Sequence, residues 1–198
     1  VWIIIELNLF SFIPLIIKSK PSAGTEAAIK YFLAQALGSA AILLSSLSIW
    51  YYHSNMIEIM LLCALLLKIG AAPFHFWYPS AITALPWIRS LYLSTWQKLA
   101  PLAVLLYMMS PTLTNLLLPI ARINAMLGGI IGINQSHIRT IIAYSSIGHI
   151  GWIIALIRIH NSILTILYFA VYVTILVPVF TLIITLNIET AELLPNNL

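Results

Sequence analysis

Three ionisable residues stand inside long apolar runs, where a charge is expensive. Lys68 interrupts LLCALLLKIGAAPFHFW (residues 61–77), Lys98 lies in STWQKLAP (residues 94–101), and Glu6 lies in VWIIIELNLF (residues 1–10). A charged side chain at the centre of a membrane helix costs about 2.5–3.5 kcal/mol on insertion scales. Counting along the apolar segments places all three near mid-depth, so we expect each to have a partner or a function.

These residue types suit proton transfer. Burial in a low-dielectric medium disfavours the charged form of a lysine, and a nearby carboxylate favours it. A buried lysine beside an acid can therefore gain and lose a proton near neutral pH, which an arginine cannot do. The pattern predicts a proton relay through Glu6, Lys68 and Lys98, in which an antiparallel hairpin brings the two lysines face to face. The alternative is a static structural ion pair.

A predicted helix break follows Lys68 directly. In KIGAAPFHFWYP, Gly70 and Pro73 come two and five residues after the lysine. Proline removes a backbone donor and clashes with the carbonyl four residues earlier. Membrane transporters use such breaks to present backbone polar groups beside an ion site. His75 could extend the path outward, or it could act as a hydrogen-bond clamp across the break.

Further polar residues are weaker candidates for relay or support. Lys30 lies near the start of its predicted helix and could reach the membrane surface by snorkelling. His149 could belong to the relay or be a hydrogen-bonded packing residue. Arg122 could pair with an acid or face a neighbouring chain. Polar partners of Lys98 are expected on its own helix, at positions Ser94, Thr95 and Gln97.

The composition shows what must position these residues. The chain has 198 residues, of which 62% are hydrophobic and 7% charged, whereas about a quarter are charged in a soluble domain. Its mean hydropathy is +1.04. We expect an all-α, polytopic transmembrane bundle forming one domain over 1–198, with about seven spans and one broken helix. The predicted segments are 1–17, 26–50 (with Thr25 as N-cap), 56–79 (interrupted), 85–109, 114–133, 140–157 and 163–187.

Several functions are disfavoured by what the sequence contains. The chain has nine Lys or Arg residues without a basic cluster, which argues against a nucleic-acid partner. Its one cysteine, Cys63, belongs to no ligand cluster, so no metal site is predicted. A phosphate-binding loop or flavin motif is not evident, so no cofactor is expected on this chain. The sequence starts as if inside a helix, without Met, so we expect a fragment.

Five stretches together resemble a known family. They are ELNLFSFIPLI, TEAAIKYFLAQA, LLKIGAAPFHFWYP, TWQKLAP and INQSHIRTIIAYSSIGHIGW. They resemble the subunit 2 family of mitochondrial NADH:ubiquinone oxidoreductase (respiratory complex I), within the wider antiporter-like proteins. The resemblance runs in the family's order over nearly the whole chain. Its matching positions are Glu6, Lys68 and Lys98.

The resemblance implies a core subunit of the proton-pumping complex in the mitochondrial inner membrane, without a redox site of its own. Its partners would be lipid and the other membrane-arm subunits, with NADH and ubiquinone bound elsewhere in the complex. The sequence departs from the family in lacking a second broken helix with its own lysine, and in having Arg139-Thr140 where Arg-Lys is frequent. Two alternatives stay open: a stand-alone cation/proton antiporter component, and a structural spacer in the membrane arm.

Overall fold

The computed structural model describes residues 2–17, 21–52, 54–108 and 110–186. Within these ranges the chain forms nine helices: α1 (Trp2–Ile17), α2 (Pro21–Tyr51), α3 (Asn55–Ile69), α4 (Trp77–Ala84), α5 (Trp87–Ser94), α6 (Trp96–Tyr107), α7 (Pro111–Ile133), α8 (Ile138–Arg158) and α9 (Ser162–Thr185). The predicted all-α membrane bundle is confirmed. Residues 1, 109 and 187, which the predicted segments included, lie outside the described ranges.

Four helical stretches are long and apolar enough to cross a membrane, by length and composition: Gly24–Ile49, Leu113–Ile133, Ile138–Arg158 and Ser162–Thr185. A shorter apolar helix covers Trp2–Ile16. The expected count of about seven spans is not confirmed, because two of the predicted segments consist of short helices. Segment 56–79 contains the predicted break, and segment 85–109 divides into α5 and α6.

The division of segment 85–109 corrects the prediction of a single broken helix. Thr95, between α5 and α6, has φ −113° and ψ −73°. The hydroxyl of Thr95 donates to the Leu91 carbonyl at 2.8 Å, and that of Ser94 donates to the Ser90 carbonyl at 2.8 Å. Such bonds to the preceding turn compete with helix geometry and bend helices. Pro101, inside α6, also lacks the backbone N–H that would bond to the preceding turn.

The start of α2 also differs from the prediction. The helix begins at Pro21, so Thr25 lies inside it and does not occupy the N-cap position. Proline is favourable at the first helical position, where its missing N–H has no helical acceptor and its fixed φ suits the helix. Glu26, the first residue of the predicted segment, therefore lies in the second turn of the helix.

Helices α7 and α8 pack as a close antiparallel hairpin. A Cβ on Gly128 would lie 2.5 Å from the backbone nitrogen of Gly148, and one on Gly151 would lie 2.8 Å from the Ala121 carbonyl oxygen. Small residues allow this approach of two backbones, as is common between membrane helices. The hairpin packs against α3, α4 and α9, so it contacts the helices on both sides of the break after Lys68.

The buried apolar residues form three clusters around this framework. One joins α2, α3, α6, α7 and α8, and contains Leu62, Leu65 and Ile154. A second joins α1, α2, α4, α5 and α8, and contains Tyr31 and Tyr78. A third, smaller cluster lies on α9. Much of the remaining surface is apolar, as expected for helices that face lipid. In α9, for example, only 22% of the most apolar stretch of residues is buried inside the protein.

Candidate functional site

The break after Lys68 is made by a glycine cap. Gly70 has φ +74°, in the left-handed region, and the backbone N–H groups of Gly70 and Ala71 both donate to the Leu66 carbonyl at 3.0 Å. Glycine adopts this conformation without the steric penalty of a Cβ. The sequence had predicted that Gly70 and Pro73 together would break the helix. The structure shows that Gly70 ends α3, and that Pro73 lies in the segment that follows.

Side chains from three other helices bond to the backbone around the break. Gln35 Nε2, on α2, donates to the Lys68 carbonyl at 3.0 Å. Trp77 Nε1 donates to the Leu67 carbonyl at 2.9 Å, and the Ala72 N–H donates to Asn124 Oδ1, on α7, at 2.7 Å. Buried backbone groups outside a helix need such partners. These hydrogen bonds hold the backbone at the break in a defined conformation, so the break is not a frayed helix end.

The side chain of Lys68 is enclosed at the end of α3. It is 3% exposed, and its Nζ has no hydrogen-bond partner among the described residues. A Cβ on Gly38, in α2, would lie 2.8 Å from Lys68 Cγ, so the absence of a side chain there makes room for the lysine stem. Glu6, on α1, does not form a direct ion pair with Lys68. The ammonium is thus buried with unused donors.

Lys98 has different surroundings. It is 2% exposed, and its Nζ donates to Ser146 Oγ, on α8, at 2.5 Å. The same nitrogen lies 4.1 Å from the centroid of the Tyr78 ring. The polar residues expected as its partners do not bond to it directly: Gln97 bonds to α1, and Ser94 and Thr95 donate to carbonyls of α5. The Lys98 side chain points towards α4 and α8, and Ser94 is linked to it only through Tyr78 and Ser146.

Four buried hydroxyl groups form a hydrogen-bonded network that reaches this nitrogen through Ser146, and we name them the hydroxyl cluster: Tyr78, Ser94, Ser146 and Tyr172. Ser146 Oγ lies 2.8 Å from Tyr78 Oη and 2.9 Å from Tyr172 Oη. Tyr78 Oη donates to Ser94 Oγ at 3.1 Å. The cluster therefore joins α4, α8 and α9 at the Ser146 oxygen beside Lys98, and it reaches α5 through Tyr78 and Ser94.

A polar bridge connects α1 with α6. Asn8 Nδ2 donates to Gln97 Oε1 at 2.6 Å, and Gln97 Nε2 donates back to Asn8 Oδ1 at 3.2 Å. The Tyr31 hydroxyl also donates to Gln97 Oε1, at 3.4 Å. Asn8 is two residues from Glu6, and Gln97 is adjacent to Lys98. The bridge therefore fixes how the helices that carry these two ionisable residues align.

The weaker candidates lie at the edges of this region. His75 is buried and stacks on Phe76, with ring centroids 4.3 Å apart. The described hydrogen bonds that span the break come from Gln35, Trp77 and Asn124. His149 Nδ1 lies 3.0 Å from Tyr168 Oη, and its ring centroid is 5.1 Å from that of Tyr172.

Two further cations lie on the surface. Lys30 pairs with Glu26 at 2.6 Å, with both side chains largely exposed at 49% and 69%, so it is not brought together with Lys68 or Lys98. Arg122 lies on an exposed face of α7, which leaves it away from the buried lysines.

Several residues of the site were not identified from the sequence: Asn8, Gln35, Gly38, Tyr78, Asn124, Ser146 and Tyr172. A signal was available for some of them. Amides and hydroxyls inside apolar helices are costly unless they are hydrogen-bonded, which applies to Gln35, Asn124 and Ser146. Which helix each of them would reach depended on the packing.

Known proteins resemble this chain in both sequence and fold. Residues 1–194 match the NADH:quinone oxidoreductase/Mrp antiporter transmembrane family. NADH-ubiquinone oxidoreductase chain 2 of Lumbricus terrestris is 48% identical over 182 residues, covering 90% of this chain and 54% of that protein. The protein of the same name from Pongo pygmaeus is 39% identical over 208 residues, covering 98% and 58%. The chain spans about half the length of these relatives.

Solved structures agree. A chain of respiratory complex I from Thermus thermophilus matches with a TM-score of 0.82 at 26% identity, over 91% of this chain and 44% of that one. A chain of the Mrp complex from Dietzia sp. matches with a TM-score of 0.81 at 14% identity, over 90% and 39%, which shows the shared fold alone. With its broken helix and buried lysines, the chain belongs to the NADH:quinone oxidoreductase/Mrp antiporter transmembrane family.

Proposed function

We propose that this chain is part of a core membrane subunit of proton-pumping NADH:ubiquinone oxidoreductase in the mitochondrial inner membrane, and that Glu6, Lys68 and Lys98 carry protons through it. Curated relatives named NADH-ubiquinone oxidoreductase chain 2 support the assignment. The relay rests on one observation: two lysines are 3% and 2% exposed, and neither forms a direct ion pair with a described acid.

The alignment of the helices supports a relay across neighbouring elements. The Asn8–Gln97 bridge supports similar levels for Glu6 and Lys98, because each lies within two residues of a bridging residue and a helix rises about 1.5 Å per residue. Helices α3 and α6, which carry Lys68 and Lys98, pack against each other. We propose that Glu6 and Lys68 influence each other through their opposite charges, so that a proton leaving one changes the electrostatic free energy of the proton on the other.

The broken helix gives Lys68 a defined role in this relay. Its nitrogen has donors without partners among the described residues, so it is ready to bind water or the next proton carrier. Backbone carbonyls and amides at the break are held by Gln35 and Asn124, which keeps the end of α3 in place as the charge changes. His75 and His149 are proposed as supporting groups, and Lys30 as a surface residue.

In this proposal, quinone reduction and NADH oxidation occur elsewhere in the complex, and this chain contributes proton transfer without a cofactor of its own. Its other contacts would be lipid and neighbouring membrane-arm subunits. The chief rival is a stand-alone cation/proton antiporter component, because the family description names the Mrp antiporter beside NADH:quinone oxidoreductase. The other rival is a structural spacer within the membrane arm.

The test is Lys68→Met in the full-length protein within its assembled complex, with Lys68→Arg as the matched variant. Positioned proton-transfer groups contribute about 10²–10⁴-fold, so we expect both changes to lower pumping by about tenfold or more. Arginine keeps the positive charge but does not release its proton, so a purely structural charge would be rescued by it. Proton uptake into vesicles and native electrophoresis measure pumping and assembly.

Normal pumping by the assembled Lys68→Met complex would exclude the relay and favour the spacer. Restoration by Lys68→Arg would assign Lys68 a structural charge. Cation-driven proton transport by the full-length protein alone in liposomes would favour the antiporter.

A further inference from the structure

The surroundings of Lys98 pose a problem that the proposed relay does not solve. The nitrogen is buried and, among the described residues, makes no direct ion pair with a carboxylate. A buried group that changes charge needs partners suited to both of its forms. Its polar contact is Ser146 Oγ at 2.5 Å, and its other neighbour is the face of the Tyr78 ring.

The hydrogen atoms of the hydroxyl cluster can be assigned for the charged form. A serine hydroxyl has one donor and two acceptor lone pairs. Ser146 Oγ accepts from Lys98 Nζ and from Tyr172 Oη. It then donates to Tyr78 Oη at 2.8 Å, which leaves the Tyr78 hydrogen for Ser94 Oγ at 3.1 Å. Ser94 donates to the Ser90 carbonyl, so every hydroxyl hydrogen has an acceptor.

The same atoms also serve the neutral form. An uncharged amine has a lone pair, so the hydroxyl of Ser146 can rotate and donate to Lys98 Nζ. Tyr78 Oη then donates to Ser146 Oγ, which still accepts from Tyr172. Of the five bonds in the charged form, only the bond from Tyr78 to Ser94 is lost, and the bonds of Ser146 to Lys98 and Tyr78 reverse direction.

We propose that Ser146 is a positioning residue for proton transfer at Lys98, and that it replaces an acidic partner by reversing its hydrogen bonds when the lysine changes charge. The proposal rests on the proposed function and deepens it. The transferred proton leaves by breaking an N–H bond at Lys98 and forming one at the next relay group, for which Lys68 is the candidate. Within the hydroxyl cluster O–H bonds rotate and none breaks.

Position 146 has a matched control beside it. Ser145 is exposed, and its hydroxyl donates to the Ile142 carbonyl within α8. Ser146→Ala removes the oxygen that contacts Lys98, whereas Ser145→Ala removes an equal group from the outer face. In the assembled full-length complex, we expect Ser146→Ala to reduce pumping by about tenfold, since an unpaired buried charged group is costly, and Ser145→Ala to leave it unchanged. Ser146→Thr keeps the hydroxyl and is expected to restore pumping.

Two further variants make the outcome decisive. Tyr78→Phe keeps the ring over Lys98 but removes the hydroxyl that Ser146 needs, so it is expected to reduce pumping as well. If the Ser146→Ala complex does not assemble, Tyr78→Phe is used as the test in its place. Normal pumping by the Tyr78→Phe complex would then overturn the proposal. Lys98→Met tests the relay itself. If Lys98→Met stops pumping while assembled Ser146→Ala pumps normally, the role of Ser146 is wrong and the relay stands. If Lys98→Met pumps normally, the relay fails at this residue.

Discussion

Lys68 and Lys98 are equally buried, but the protein accommodates them by different means. Around Lys68 the backbone is opened by Gly70, and the nitrogen lacks a hydrogen-bond partner among the described residues. Around Lys98 the backbone is helical, and one hydroxyl and one aromatic face contact the nitrogen. The comparison shows that equal burial of two lysines does not imply similar polar surroundings.

The two sites share one support, the α7/α8 hairpin. Asn124, on α7, bonds to the segment after the Lys68 helix, whereas Ser146, on α8, bonds to Lys98. A change that separates α7 from α8 should therefore affect both lysines. A change of the Asn124 side chain should affect only the surroundings of Lys68, and a change on the outer surface should affect neither lysine. These three cases test whether the sites are separable.

The largest effect is expected from Gly128→Ala. The added Cβ would lie 2.5 Å from the Gly148 nitrogen and 2.7 Å from the Tyr144 carbonyl oxygen, and backbone atoms cannot yield as a flexible side chain can. Overpacking typically costs about 1–3 kcal/mol, so the melting temperature of the detergent-solubilised full-length protein should fall. Gly129→Ala is the control, because nothing lies within 4 Å of its Cβ. Equal melting temperatures for the two variants would contradict the close hairpin.

An intermediate effect is expected from Asn124→Ala. It removes the acceptor of the buried Ala72 N–H, and leaving such a group unpaired costs about 1–3 kcal/mol. Hydrogen exchange should increase in the segment after Gly70 and stay unchanged at the hydroxyl cluster. Asn115→Ala, at an exposed position of the same helix, provides the control. Equal changes at both lysine sites would show that they are not separable.

The smallest effect is expected from Lys30→Ala. Exposed ion pairs between residues four apart on a helix contribute little, because water screens them, and both partners here are largely exposed. Pumping and melting temperature should match those of the unchanged protein. A clear loss of pumping would show that Lys30 takes part in proton transfer. The distinction between the buried and the exposed lysines would then be weaker.

Composition and spacing were enough to predict the class of fold and the break. Apolar runs specify membrane helices because their backbone must bond internally in lipid, and a glycine followed three residues later by a proline is a strong stop signal. The division of α5 from α6 was missed, since it depends on Ser94 and Thr95 bonding to the preceding turn. Such bonds compete with the helix only in some rotamers, which the sequence does not specify.

The environment of Lys98 could not be predicted for a related reason. Ser146 is 48 positions away in sequence and looks like an ordinary small residue in AYSSIGH. Its role arises because the glycines of α7 and α8 let the hairpin close, which turns this face of α8 towards α4 and α6. Residue types alone showed that Lys98 needed a partner; the helix packing determined which one.

Gly38 has a consequence beyond this molecule. A Cβ at this position would lie 2.8 Å from Lys68 Cγ, so any side chain there must displace the lysine stem. Positions 38 and 68 should therefore covary among aligned homologues: glycine should accompany lysine, and bulkier residues should be tolerated at position 38 only where position 68 carries a shorter side chain.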